Sequence, residues 1–166
     1  MGSLPLKWDV EEIVRDHNVG AVVNMTIEWS GPTEHYERHG VKQLRLPTVD
    51  TAAPTLEQVH EGVAFIEEFL AANPGKRVFI HCKGGRGRAA VMTACFYISR
   101  RKGKADPHEV VRELKQKRHV VSTAVAHYEV VQEFHAHIVR IHAGTDGSDG
   151  NGAARSRKGR GKAKAT

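Results

Sequence analysis

Val78-Phe79-Ile80-His81-Cys82-Lys83-Gly84-Gly85-Arg86-Gly87-Arg88-Ala89-Ala90 decides how this chain is read. It is a short apolar strand running into a glycine-rich loop, and a helix follows through Val91, Met92, Ala94, Phe96 and Ile98. Between Cys82 and Arg88 stand five residues, Lys83, Gly84, Gly85, Arg86 and Gly87. Glycines let successive backbone N–H groups turn inward, and the following helix aims the positive end of its dipole at the same point. Such a loop suits a bound phosphate. Cys82, beside Lys83, Arg86 and Arg88 and facing a helix start, is expected to act as a thiolate nucleophile. Arg88 is expected to donate paired hydrogen bonds to phosphoryl oxygens, more strongly as charge spreads during transfer. Attack of sulfur on phosphorus gives a phosphocysteine that water must hydrolyse. The bland alternative is an inert buried cysteine ahead of a glycine turn. Cys95 has no comparable surroundings and reads as core.

Outward from this stretch, 166 residues suit one domain with a real core. Two cysteines in apolar or loop-to-helix settings argue against a disulfide framework. No apolar run approaches the length of a membrane span, and no targeting segment is visible at the start. The net charge of +6 is uneven: residues 145–166 hold +4, leaving +2 for residues 1–144. Residues 144–166, basic and glycine-rich without periodicity, are expected to be a disordered tail behind a domain at 1–143. That tail reads first as a solubilising end and second as a contact for anionic membrane, with nucleic-acid binding not expected.

The pattern predicts a short helix over Trp8–His17 opened by Asp9, a strand at Ala21–Met25, a helix over Pro32–His39 and a strand at Val41–Leu46 ending at Pro47. A long helix is predicted over Thr55–Ala72, closed by Asn73-Pro74-Gly75. Beyond the helix after Cys82, Gly103 breaks the pattern and Asp106-Pro107 caps another helix. A last helix is predicted over Thr123–Ile141, with Tyr128, Val131, Phe134, Ile138 and Ile141 on one side. Strands alternating with helices predict an α/β fold, a central mostly parallel sheet flanked by helices, with the Cys82 loop at a strand's C-terminal end. Expulsion of an alkoxide also needs a proton donor, which arginine cannot be. Asp50, just past a strand end and 32 residues before Cys82, is the candidate; a turn aspartate capping the next element is its alternative.

His81-Cys82-x5-Arg88 resembles the signature of the protein-tyrosine-phosphatase superfamily, whose cysteine-dependent phosphatase fold the chain is then expected to adopt. Its dual-specificity branch carries a general-acid aspartate at about the place of Asp50. Gly40–Asp50, Pro54-Thr55-Leu56, Gly62-Val63 and Glu133-Phe134-His135 further resemble the mitochondrial phosphatase-like lipid phosphatases acting on phosphatidylglycerophosphate. The resemblance implies Cys82 as nucleophile, Arg88 as phosphate clamp, Asp50 as general acid and the loop 83–88 as phosphate cradle, with His81 ordering the loop by hydrogen bonding. It implies no metal or cofactor, a monomer, and a phosphorylated lipid or phosphoprotein as substrate. A dual-specificity protein phosphatase and a phosphate-binding pseudophosphatase stay open beside the lipid reading. By resemblance the compartment is mitochondrial; by the missing targeting signal it is cytoplasmic. Glu28 and Trp29 match an acidic, aromatic loop beside the pocket, either as substrate contacts or as packing at the domain edge.

Three departures accompany the resemblance. Ala89 stands where most members carry Ser or Thr, whose hydroxyl helps the cysteine sulfur leave. Ala124-Val125-Ala126-His127 replaces the usual Arg-Pro pair and glutamine, leaving His127 either as a substitute that positions water or as an exposed helix residue. Relatives also carry a further segment with a strand before Leu4, so the sheet edge is expected to differ or the chain to be shortened there.

Overall fold

Val19–Thr26 forms β1, in which every residue except Gly20 is buried, as expected of a central strand covered on both faces. The fold comes from a computed structural model, which describes residues 1–143. β2 (Lys42–Thr48) and β3 (Arg77–His81) pair with it in parallel, giving the order β2-β1-β3. The sheet is thus parallel, as the alternation of elements predicted. At its edge Gly2 bridges His81 in parallel, where the sheet edge was expected to differ.

Helices cover the sheet: α1 (Asp9–Arg15), α2 (Thr33–Arg38), α3 (Leu56–Ala72), α4 (Arg88–Arg100), α5 (Pro107–Lys117) and α6 (Glu129–Ala143). α4 is the axis of the main core. Residues 88–95 are buried without interruption, so this helix is covered all round and packs against β3, α3, α5 and α6. Thr55 caps α3 with a reciprocal box: its hydroxyl accepts from Gln58 N–H while Gln58 Oε1 accepts from Thr55 N–H. Asp106 caps α5 by accepting from His108 N–H, with Pro107 at the first helical position.

Four local expectations need correction. The helix expected over Thr123–Ile141 is two elements, a 3₁₀ turn at Thr123–His127 and then α6. Tyr128 turns extended between them, and Gln132 Nε2 donates to the Ala126 carbonyl, filling an acceptor that continuous helix would have paired. Ile141 lies on the exposed side of α6 rather than in the core. β2 runs through Pro47 to Thr48, because proline at an edge strand needs no ladder donor. α1 is shorter than expected and begins after Trp8; Asp9 instead accepts from Leu6 N–H at 2.8 Å. The tail expected at 144–166 lies outside the described residues.

Candidate active site

All three strands end at one edge, and the order β2-β1-β3 makes that edge a topological switch point, where open α/β sheets leave a crevice. Cys82 follows β3 directly and is buried, with its sulfur accepting from Gly85 N–H at 3.2 Å. Gly85 has φ +66°, and a Cβ there would lie 2.7 Å from the Gly2 carbonyl oxygen, so the turn that aims this N–H needs glycine. Gly87 leads into α4, whose first residue is Arg88. A cavity of about 450 Å³ opens over the loop, lined by Cys82, Lys83, Gly84, Arg86, Gly87 and Arg88 from it and by Asp50, Ser122 and Tyr128 opposite. The fold brings Cys82, Arg88, Asp50 and the expected loop residues to this one pocket except Gly85, which does not line it but turns its N–H to the sulfur.

Arg88 organises the polar side of this pocket. Its side chain is only 2% exposed and meets two carboxylates. Nη1 and Nη2 form a fork on Glu28 at 3.0 and 2.9 Å, Nη2 also donates to Asp50 Oδ1 at 2.6 Å, and Nη1 donates to the Thr48 carbonyl at 2.8 Å. All four Nη hydrogens are therefore engaged, leaving the Nε hydrogen for a phosphate unless one acceptor withdraws. The hydrogen bonds from Arg88 hold the Glu28 carboxyl down at about 2. Burial works against the charge on Arg88, but Glu28 and Asp50 more than offset it and raise its proton affinity. The guanidinium is fixed in place, charged, before any ligand arrives.

Of the two readings of Glu28, neither anticipated this grip. Nothing in the sequence links positions 60 residues apart; the link comes from β1 and β2 in parallel register, where Thr26 pairs with Thr48. Two residues after each threonine stands a carboxylate, Glu28 and Asp50, and both reach Arg88. Trp29 is packing rather than an open contact: its ring meets His81 edge-on at 6.1 Å, and its carbonyl accepts from Asn24 and Thr26. The Asp50 loop is held in an unusual shape. Thr51 has φ +68°, a costly conformation for a β-branched residue, and its N–H donates to Asp50 Oδ1 at 3.0 Å. Lys83 Nζ approaches Asp50 Oδ2 at 3.7 Å, a solvent-exposed pair that adds little energy.

His81 differs from expectation. It is fully buried between Trp29 and Phe79, and neither ring nitrogen finds a hydrogen-bond partner. Burial pulls its titration down to about 4, outweighing the nearby Cys82 backbone, so the ring is neutral and supports the loop by packing. Cys95 is core as expected, and burial pushes its thiol far up. His127 is exposed and meets His108 edge-on at 4.6 Å; Ser122 and Tyr128 line the pocket instead. Ala89 is fully buried behind the loop, and the nearest hydroxyl on that helix, Thr93, is spent on the Ala89 carbonyl at 2.7 Å.

The sequence profile of a family described as "Polymorphic toxin system, DSP-PTPase phosphatase" matches residues 4–103. The chain belongs to the DSP-PTPase phosphatases. Among relatives of this phosphatase, the Mus musculus protein named phosphatidylglycerophosphatase and protein-tyrosine phosphatase 1 is 36% identical over 144 residues, which is 83% of this chain and 72% of that one. The crystal structure of PTPMT1 superposes with a TM-score of 0.75 at 34% identity, covering 87% of this chain and 93% of the other. A PTPMT1 structure in complex with PI(5)P also gives a TM-score of 0.75, at 33% identity over 86% of this chain and 92% of that one. This phosphatase thus hydrolyses phosphomonoesters, and its fold is the one the signature implied.

Proposed function

We propose that the enzyme dephosphorylates a phospholipid head group through a phosphocysteine on Cys82. The observation that carries this reading is one pocket holding the Cys82 sulfur with the Gly85 N–H on it, Arg88 fixed beside it and Asp50 within reach of Arg88. A substrate phosphate binds side-on to Arg88 through Nε and Nη2, taking the place of Asp50. The displaced Asp50 carboxylate takes a proton from solvent and turns to the leaving oxygen. Cys82 attacks phosphorus, the P–O bond to the alcohol breaks, and Asp50 as the acid passes its proton to that oxygen. Water then attacks the phosphocysteine, Asp50 as carboxylate takes its proton, and the S–P bond breaks to return thiolate and inorganic phosphate. Glu28 keeps its fork on Arg88 throughout and so fixes the plane in which the phosphate docks.

Support for a lipid substrate comes from three sides. Lys83 and Arg86 stand exposed on the loop and suit a head group with more than one anionic position. The mouse relative is named a phosphatidylglycerophosphatase, and PTPMT1 has been crystallised with a phosphoinositide. The same mouse name includes protein-tyrosine phosphatase, which makes a phosphotyrosine protein the second reading. The test compares kcat/KM for detergent-dispersed phosphatidylglycerophosphate, a phosphoinositide and a phosphotyrosine peptide. Preference for a lipid is expected; preference for the peptide would overturn the assignment.

A further inference from the structure

We infer that Leu6, Ile27, Val49 and Val120 form an apolar rim that seats the pocket mouth on an anionic lipid bilayer, an inference that rests on the lipid reading above. Among the described residues, seven large hydrophobic side chains are exposed, and four of them stand within two residues of one that bonds the phosphate loop or Arg88. Ile27 precedes Glu28 and Val49 precedes Asp50, the two carboxylates on Arg88. Because Thr26 pairs with Thr48 in parallel register, Ile27 and Val49 leave the sheet side by side at the same edge. Their exposures are 54% and 60%. Leu6 stands two residues beyond Leu4, whose N–H donates to the Lys83 carbonyl. Val120 stands two residues before Ser122, whose N–H donates to the Arg86 carbonyl. Leu6 is 40% exposed and Val120 46%.

Each of these side chains is therefore tied by a short piece of chain to the phosphate loop or to Arg88. Scattered exposed aliphatics need no explanation, but several of them anchored beside one charged pocket mark an interaction surface. Charge selects the occupant. Lys83 and Arg86 are exposed on the phosphate loop, and together with Arg88 they outnumber the two carboxylates, Glu28 and Asp50, by one positive charge. A surface with aliphatic tips and exposed cations complements the boundary between acyl chains and anionic head groups, where apolar burial and attraction to the surface potential act together. A substrate phosphate on a lipid in that bilayer then enters the pocket without leaving the membrane.

The test measures sedimentation of the full chain with vesicles of phosphatidylcholine mixed with phosphatidylglycerol, at an ionic strength that screens the basic C-terminal segment. The variants are Ile27→Ser/Val49→Ser and, further from the chemistry, Leu6→Ser/Val120→Ser. Each pair is expected to weaken vesicle partition by about tenfold or more, since two aliphatic contacts with the bilayer are lost. Hydrolysis of vesicle-borne phosphatidylglycerophosphate should fall with it, while an aryl phosphate in solution is turned over within about twofold of the parent by Leu6→Ser/Val120→Ser, which shows that the fold is intact. Unchanged vesicle partition in both pairs overturns the proposal, as does an equal fall on the soluble and the vesicle substrate. Failure of the lipid reading itself has a separate signature, an enzyme that hydrolyses the aryl phosphate and ignores detergent-dispersed lipid. The vesicle-binding arm decides the docking rim in either case.

Discussion

Replacing Glu28 by Gln removes the carboxylate that holds Arg88 in a fork, while keeping shape and one acceptor. Its carboxyl titrates at about 2 in the fold against 4.5 ordinarily, a depression caused first by the Arg88 hydrogen bonds. Converted directly, that difference corresponds to about 3 kcal/mol of stability. Glu28 is 36% exposed, however, and water screens the pair, so about 1–2 kcal/mol is the working figure. Since the folded value lies below the unfolded one, this stability is fully present above about pH 4.5 and is lost as pH falls through about 2. Urea unfolding of parent and Glu28→Gln across that range reads it directly. The two should differ by about 1–2 kcal/mol at neutral pH and converge near pH 2. A gap that does not narrow with acid, or no gap at neutral pH, refutes the reasoning. Steady-state kinetics at neutral pH adds a second reading: KM for any phosphomonoester should rise, because the freed guanidinium no longer presents one plane to the phosphate.

Asp50→Asn should lower kcat by about 10²–10⁴-fold on an alkyl phosphate, whose leaving oxygen needs a proton, and far less on an aryl phosphate with an acidic leaving group. Equal losses on both would remove Asp50 from the acid's role. Gly85→Ala places a methyl group against the Gly2 carbonyl at a backbone angle that alanine resists; a loss of about 1–3 kcal/mol in thermal or urea unfolding is expected, with Cys82 reactivity toward alkylation reduced. Stability within error of the parent would show that the loop relaxes freely. Ala89→Ser restores a hydroxyl behind the sulfur and should speed steady turnover by up to about 10²-fold if phosphocysteine breakdown is slow; single-turnover measurements of the two steps check this, and an unchanged second step would dismiss Ala89 as the cause of slow release.

The sequence carried the parts of this enzyme that local chemistry dictates. An apolar run, three glycines and a helical pattern placed β3, the loop and α4, and the separation of Cys82 and Arg88 implied a phosphate between them. The place of Asp50 after a strand left it open between proton donor and turn cap, and the family resemblance favoured the donor. What escaped were features made by distant chain segments meeting. The Glu28 fork depends on the parallel register of β1 and β2, and no residue near Glu28 announces it. The break at Tyr128 was hidden because apolar residues near Val125 and Val131 fit one helical stripe as well as a 3₁₀ turn followed by a helix. Ile141 fitted that same stripe but is exposed, three residues beyond Ile138, the last core residue of α6 among the described residues. His81 was expected to bond and instead is held by Trp29 and Phe79, a packing outcome that spacing cannot disclose.

The most direct test of the account is a rapid acid quench with an aryl phosphate, followed by mass analysis of the peptide containing Cys82. Catalysis through Cys82 predicts one phosphoryl group on that cysteine during turnover and a burst of aryl alcohol equal to the enzyme present, both abolished in Cys82→Ser. Sustained hydrolysis by Cys82→Ser, or a parent enzyme that turns over with the Cys82 peptide unmodified at every quench time, would contradict it.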